Sequence, residues 1–159
     1  MKRVWIPKPG TNEKRPLGIP TVRDRIVPTA LRLMIEPIFE HRFAEHSYGF
    51  RPGRGCKDAL RRVQALLDEG HTWIVDADLK AYLDTIPKDR LMNRVRERIA
   101  DSRVLTLHEP TERGTPQGAV ISPLLANIYL DPLDHLLAAC GVEMVRYADD
   151  FVMMCPKRG

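Results

Sequence analysis

An α/β fold, with an antiparallel sheet packed on helices, is what this chain predicts. Three observations lead there. Short β-type runs bounded by turn residues occur near the start, in the middle and at the end of the chain, and longer segments with apolar residues at helical spacing lie between them. Residues 144–155 then set two apolar runs around an Asp-Asp pair, the pattern of a hairpin. The 159 residues are 43% hydrophobic and 29% charged, enough for one domain with a real core and unlike a disordered tail.

Taken in order, Arg3-Val4-Trp5-Ile6 and Arg15-Pro16-Leu17-Gly18-Ile19-Pro20 read as short strands around the turn-rich Pro7-Lys8-Pro9-Gly10-Thr11-Asn12. The resulting hairpin carries Lys2, Arg3, Lys8, Lys14 and Arg15, either as a solvated basic surface or as a lid over phosphates. Thr21, with Asp24 three residues on, marks a helix start, and Ile26, Ala30, Leu33, Met34 and Ile38 continue at helical spacing. Pro28 and Pro37 each remove a backbone donor, so this helix is expected to kink or break, with Phe39 and Phe43 packing beyond it. Residues 47–55 mix Tyr48 and Phe50 with Arg51 and Arg54, a combination that stacks on bases and pairs with phosphates, or equally a plug with its aromatics buried.

A helix follows with Cys56, Leu60, Val63 and Leu67 on one face and Gly70 at its end. Residues 73–79 form a strand whose Asp76 and Asp78, two apart, share a face. Pro87 opens a helix to Ala100 with Leu91, Val95 and Ile99 inward. Gly114-Thr115-Pro116-Gln117-Gly118 is a loop, and Ser122-Pro123 starts a helix whose Leu125, Tyr129, Leu133, Leu136 and Cys140 are assigned to the core, with Gly141 ending it.

Neighbouring side chains of a straight strand point to opposite faces, so Asp149 and Asp150 require a turn, which Asp tolerates well. Two like charges at a hairpin tip repel. A divalent cation bound by hard oxygen ligands relieves that repulsion, and so does solvent if the turn is merely an exposed acidic one. A net charge of +4 and a pI of about 9.1 suit a polyanionic partner without establishing one. Cys56, Cys140 and Cys155 are too scattered for a disulfide framework or a C-x-x-C metal site. No apolar run reaches the length of a membrane span, and the basic N-terminus leads into Pro and Gly, so a soluble, cytoplasmic protein without a membrane partner is expected.

Residues 73–84, Gly114-Thr115-Pro116-Gln117-Gly118, residues 122–134 and Tyr147-Ala148-Asp149-Asp150, in that order, resemble the reverse transcriptases, most closely those encoded by bacterial group II introns. Residues 3–20 and 47–54 are similar to the early fingers blocks of the same family. The resemblance implies a polymerase fingers-palm fold and RNA-directed DNA synthesis, in which two Mg2+ or Mn2+ ions activate a primer 3'-hydroxyl and stabilise the leaving oxygen. It implies Asp78, Asp149 and Asp150 as catalytic acids and metal ligands, with the Leu79 carbonyl beside them, Asp76 structural and Asp84 supporting. Lys8 and Arg15 would grip the nucleotide triphosphate, which makes the lid the favoured reading of the basic hairpin. Leu17 would pack on the templating base, Tyr82 exclude a 2'-hydroxyl and Gln117 line the nucleotide pocket. Tyr147 and Ala148 would border the primer end, and Arg51 and Arg54 contact template phosphates.

The chain departs from the family at Tyr82-Leu83, where paired aromatics are usual, at Ala81 and Ala119 in place of glycine, at Pro28, and in a short segment 104–112. On the resemblance, residues 1–55 form a fingers part and residues 56–159 a palm part of one truncated domain without its thumb. The expected partners are an RNA template, a DNA primer and a deoxynucleotide, with structured intron RNA as a further one, and the chain alone is expected to polymerise weakly or not at all. Two rival readings fit parts of the sequence. A non-catalytic RNA-binding maturase fragment would show binding that falls steeply with salt and no metal-dependent activity. A nucleotide-sugar transferase would use Asp76-Ala77-Asp78 as its metal pair but leaves the Gln117 loop and the second acidic hairpin unexplained.

Overall fold

The computed structural model describes residues 2–7, 10, 14–79, 82–106 and 119–156; the side chains at 2, 3, 15–17 and 106 lie outside that description. The chain forms two compact units, each built from two separate stretches: residues 1–38 with 81–125, and residues 39–80 with 126–159. The expected division between residues 55 and 56 therefore falls inside the second unit.

In the first unit, β1 (Lys2–Pro7) and β2 (Lys14–Ile19) pair antiparallel from Lys2↔Ile19 to Pro7↔Lys14, the expected basic hairpin. Helix α1 (Val22–Glu40) starts on a reciprocal cap: the Asp24 amide donates to Thr21 Oγ1 at 3.3 Å and the Thr21 amide donates to Asp24 Oδ2 at 2.9 Å. Of the expected kink or break, no break occurs: α1 runs continuous through Pro28 and Pro37. The residues four positions before those prolines, Asp24 and Leu33, are both exposed, so the missing amide donors fall on the solvent side of the helix. The buried stripe is Leu31, Ile35 and Phe39; Leu33, expected inward, is 67% exposed. Two short helices, α3 (Tyr82–Thr85) and α5 (Ser102–Thr106), flank α4 (Lys88–Arg96), and Leu91, Val95 and Ile99 are buried as expected.

The second unit holds helix α2 (Cys56–Asp68) and a three-stranded antiparallel sheet in the order β3 (Trp73–Asp78), β5 (Asp150–Cys155), β4 (Glu143–Tyr147). Helix α6 (Ser122–Ala139) starts at the expected Ser122-Pro123 and leads toward β4. At the end of α2, Gly70 takes φ 92°, a left-handed conformation natural to glycine, and the His71 amide donates to the Leu66 carbonyl at 2.9 Å. The sheet register places Val145 opposite Val152 and Glu143 opposite Met154. Val145, Val152 and Met154 thus share one face, and on it pack Ala59, Val63 and Leu66 of α2 together with Tyr48. The inward stripe of α2 is 59-63-66, one position round from the expected 56-60-63-67, and Leu60 is 61% exposed.

Candidate active site

Pairing of β3 with β5 sets Asp78 directly opposite Asp150 and Asp76 opposite Val152. Alternation along each strand then puts Asp76, Asp78 and Asp150 on one face of the sheet. This is the face that α2 covers farther along, over β4 and β5; the three acids are exposed. Tyr147 pairs with Asp150, so β4 and β5 are joined by a two-residue loop, Ala148-Asp149, as the Asp-Asp pair required. Ala148 has φ 62°, the left-handed region used at the first position of some two-residue hairpin turns and usually given to glycine.

These carboxylates feel one another. Partial desolvation pushes the Asp150 carboxyl above the usual carboxylate range, and the charges of Asp149, Asp78 and Asp76 push it further in the same direction. Hard oxygen donors held together against their own repulsion are the donor type that Mg2+ or Mn2+ selects. Among the described residues, no three His, Cys, Asp or Glu side chains stand close enough to enclose a single ion, so a closed cage is not preformed. Leu79 follows Asp78 at the end of β3, half-buried.

Behind the tip lies a polar cluster that the sequence reading missed. Arg146 of β4 is 0% exposed. Its Nε donates to Asp134 Oδ1 at 2.9 Å, Nη2 donates to Asp134 Oδ2 at 2.6 Å and to Ser47 Oγ at 2.7 Å, and Nη1 donates to Asn127 Oδ1 at 3.0 Å and to the Ala148 carbonyl at 2.8 Å. Asn127 is fixed from its other side, where Nδ2 donates to the Gly49 carbonyl at 2.8 Å. Burial pushes the Asp134 carboxyl up, while the hydrogen bonds and charge of Arg146 pull against that rise. The one sign available in the sequence is a charged residue between Val145 and Tyr147 of an otherwise apolar strand, which must find a buried partner.

The segment before α2 lies along β4. The Arg146 amide donates to the His46 carbonyl at 3.0 Å, and the Tyr48 amide donates to the Arg146 carbonyl at 2.8 Å. Here Arg51 departs from its expected template-phosphate role. It is 7% exposed, its Nε donates to Glu40 Oε1 at 3.0 Å, and its Nη1 donates to the carbonyls of Ala44 at 2.7 Å and Ser47 at 2.8 Å. The guanidinium also stacks over Phe43 at 5.3 Å, so its donors hold the loop and none is turned to a phosphate. Arg54 is half-buried over the Tyr48 ring at 5.7 Å and donates from Nη1 to the Glu45 carbonyl. Tyr82, at the start of α3 in the first unit, is buried. Lys8 and Gln117 lie outside the described residues, and of Arg15 and Leu17 only the backbone, in β2, is described.

An antiparallel sheet with one acid ending its edge strand and two more at an adjoining hairpin tip is consistent with a fingers-palm polymerase fold. The family profile for "Reverse transcriptase (RNA-dependent DNA polymerase)" matches residues 6–159, and the chain belongs to that family. It is similar to Protein YkfC of Escherichia coli (strain K12), 44% identical over 86% of this chain and 40% of the relative. It is also similar to the group II intron-encoded protein LtrA of Lactococcus lactis subsp. cremoris, 36% identical over 92% of this chain and 26% of the relative. The chain thus spans less than half the length of these relatives. A solved telomerase from Candida albicans, in complex with a TWJ fragment of telomeric RNA, shares the fold with a TM-score of 0.70 over 98% of this chain and 36% of its own, at 13% identity.

Proposed function

We propose that this chain is the fingers-palm part of an RNA-directed DNA polymerase of the group II intron-encoded kind, transferring a nucleotide from a deoxynucleoside triphosphate to a primer 3'-hydroxyl on an RNA template. The observation that carries the reading is the cross-strand meeting of Asp78 with Asp150, beside Asp149 at the hairpin tip. Asp78, Asp149 and Asp150, with the Leu79 carbonyl, would hold divalent ions, which when bound supply Lewis-acid activation of the attacking hydroxyl and charge stabilisation of the leaving phosphate oxygen. The protein's own part is positional. Sheet pairing sets Asp78 opposite Asp150, the Ala148-Asp149 loop carries Asp149 at the hairpin tip, and Tyr147 and Ala148 would border the primer end.

Lys8 and Arg15 of the basic hairpin, with Leu17, Tyr82 and Gln117, are proposed to contact the nucleotide and its templating base, and Arg54 to contact the template. The surplus of basic residues supports a polyanionic partner. Among the described residues no helix is long and apolar enough to cross a membrane. In a polypeptide extended to the length of its relatives, Asp149→Asn is expected to abolish RNA-templated primer extension and to spare RNA binding. Synthesis that survives the substitution would overturn the assignment, and RNA binding with no metal-dependent synthesis by the unsubstituted protein would favour a binding role alone.

A further inference from the structure

We propose that Arg146 is the positioning residue of the acidic turn: its buried guanidinium, anchored by Asp134, Asn127 and Ser47, holds the Ala148 carbonyl and so fixes the backbone from which Asp149 and Asp150 project.

A guanidinium has five N–H groups in a rigid plane. At Arg146 every nitrogen is engaged, and the acceptors come from α6, from the loop before α2 and from the turn itself. Asp134 takes the Nε–Nη2 edge with both oxygens, which supplies the buried countercharge and sets the plane of the group. With that plane set, the outer Nη1 direction is no longer free, and it ends on the Ala148 carbonyl at 2.8 Å. A lysine would keep the charge but offers three donors from one point, which cannot span Asp134 and Ala148 at once.

A second contact acts on the opposite side of the same residue. A Cβ placed on Gly49 would clash with the Ala148 amide nitrogen, so the loop passes against the turn at a distance only glycine permits. The Gly49 carbonyl is in turn held by Asn127, whose other amide atom accepts from Arg146. Ala148 is therefore gripped at its carbonyl by Arg146 and backed at its amide by Gly49. Without such a grip, φ 62° at an alanine is a conformation the chain would readily leave.

The consequence for catalysis rests on the polymerase reading; the geometry does not. Amide hydrogen exchange and the Ala148 carbonyl carbon shift are measured on the purified chain and on two variants. Arg146→Lys keeps the ion pair. The double replacement Arg146→Met with Asp134→Leu removes the buried pair together, an exchange that leaves folds intact in other proteins. In both, the expected result is exchange at residues 148–150 faster by about tenfold or more, the scale of one lost charge-assisted hydrogen bond, with a shifted Ala148 carbonyl and unchanged protection at 152–154. Unchanged exchange and shift at the turn would overturn the proposal. So would a loss of protection spread evenly over both strands, which marks Arg146 as a general stabiliser. Neither outcome depends on whether the protein polymerises.

Discussion

Replacing Asp150 by Asn should make the protein more stable at neutral pH, an outcome opposite to that of most substitutions. Asp150 faces Asp78 across the β3–β5 pair, with Asp76 on the same face and Asp149 next in the chain. Like charges directly opposite on antiparallel strands destabilise by about 0.5 kcal/mol, and because these acids are exposed the surface scale applies rather than the buried one. For a chain of this size that corresponds to a rise in Tm of about 1–2 °C. The direction with pH follows from the raised proton affinity of Asp150. Below the unfolded carboxylate pKa the group is protonated in both states and the penalty is absent; it develops as pH rises from there through the higher folded pKa and is complete above it. Thermal unfolding of wild type and Asp150→Asn, followed by circular dichroism, should therefore coincide near about pH 3 and separate by about pH 7, the gap shrinking in about 1 M salt. A variant less stable than wild type at neutral pH would refute the mutual repulsion on which the acidic site rests.

Asp134→Ala leaves the Arg146 charge buried without its partner and should cost about 3–5 kcal/mol, a large part of a typical domain's stability, measurable by urea unfolding. Ala148→Gly relieves a left-handed alanine and should stabilise by about 1 kcal/mol in the same assay; a loss would show that the turn is not strained. Met154→Ala, at a position with no exposure in the α2–sheet core, should cost about 2–5 kcal/mol with an unchanged urea m-value.

What the sequence made legible was local. The basic hairpin, the Thr21 cap, the glycine ends of α2 and α6 and the Asp-Asp turn all follow from contacts within a few residues, and all are present. Helix faces were harder. In α2 and α1 the choice of inward stripe followed the large apolar residues, yet Leu60 and Leu33 are exposed while the small Ala59 is buried. Leu136 of α6 and Cys140 just past its end, both expected inward, are exposed, while Asn127 and Asp134 are buried, where they serve Arg146. That cluster joins Ser47 to Arg146 across 99 residues, a separation no periodicity reports. Arg51 differs for a related reason: an arginine beside aromatics looks like a nucleic-acid contact, but its donors are taken up by Glu40 and the carbonyls of the loop, with Phe43 under its guanidinium.

Joint action of Asp78, Asp149 and Asp150 on divalent ions is tested most directly by paramagnetic broadening with Mn2+. Titrated into the isotopically labelled chain, Mn2+ should broaden the amides of Asp78, Leu79, Asp149 and Asp150 first, and Asp149→Asn should weaken the effect at all of them together. Broadening that spares these residues, or that is unmoved by the substitution, would contradict the account.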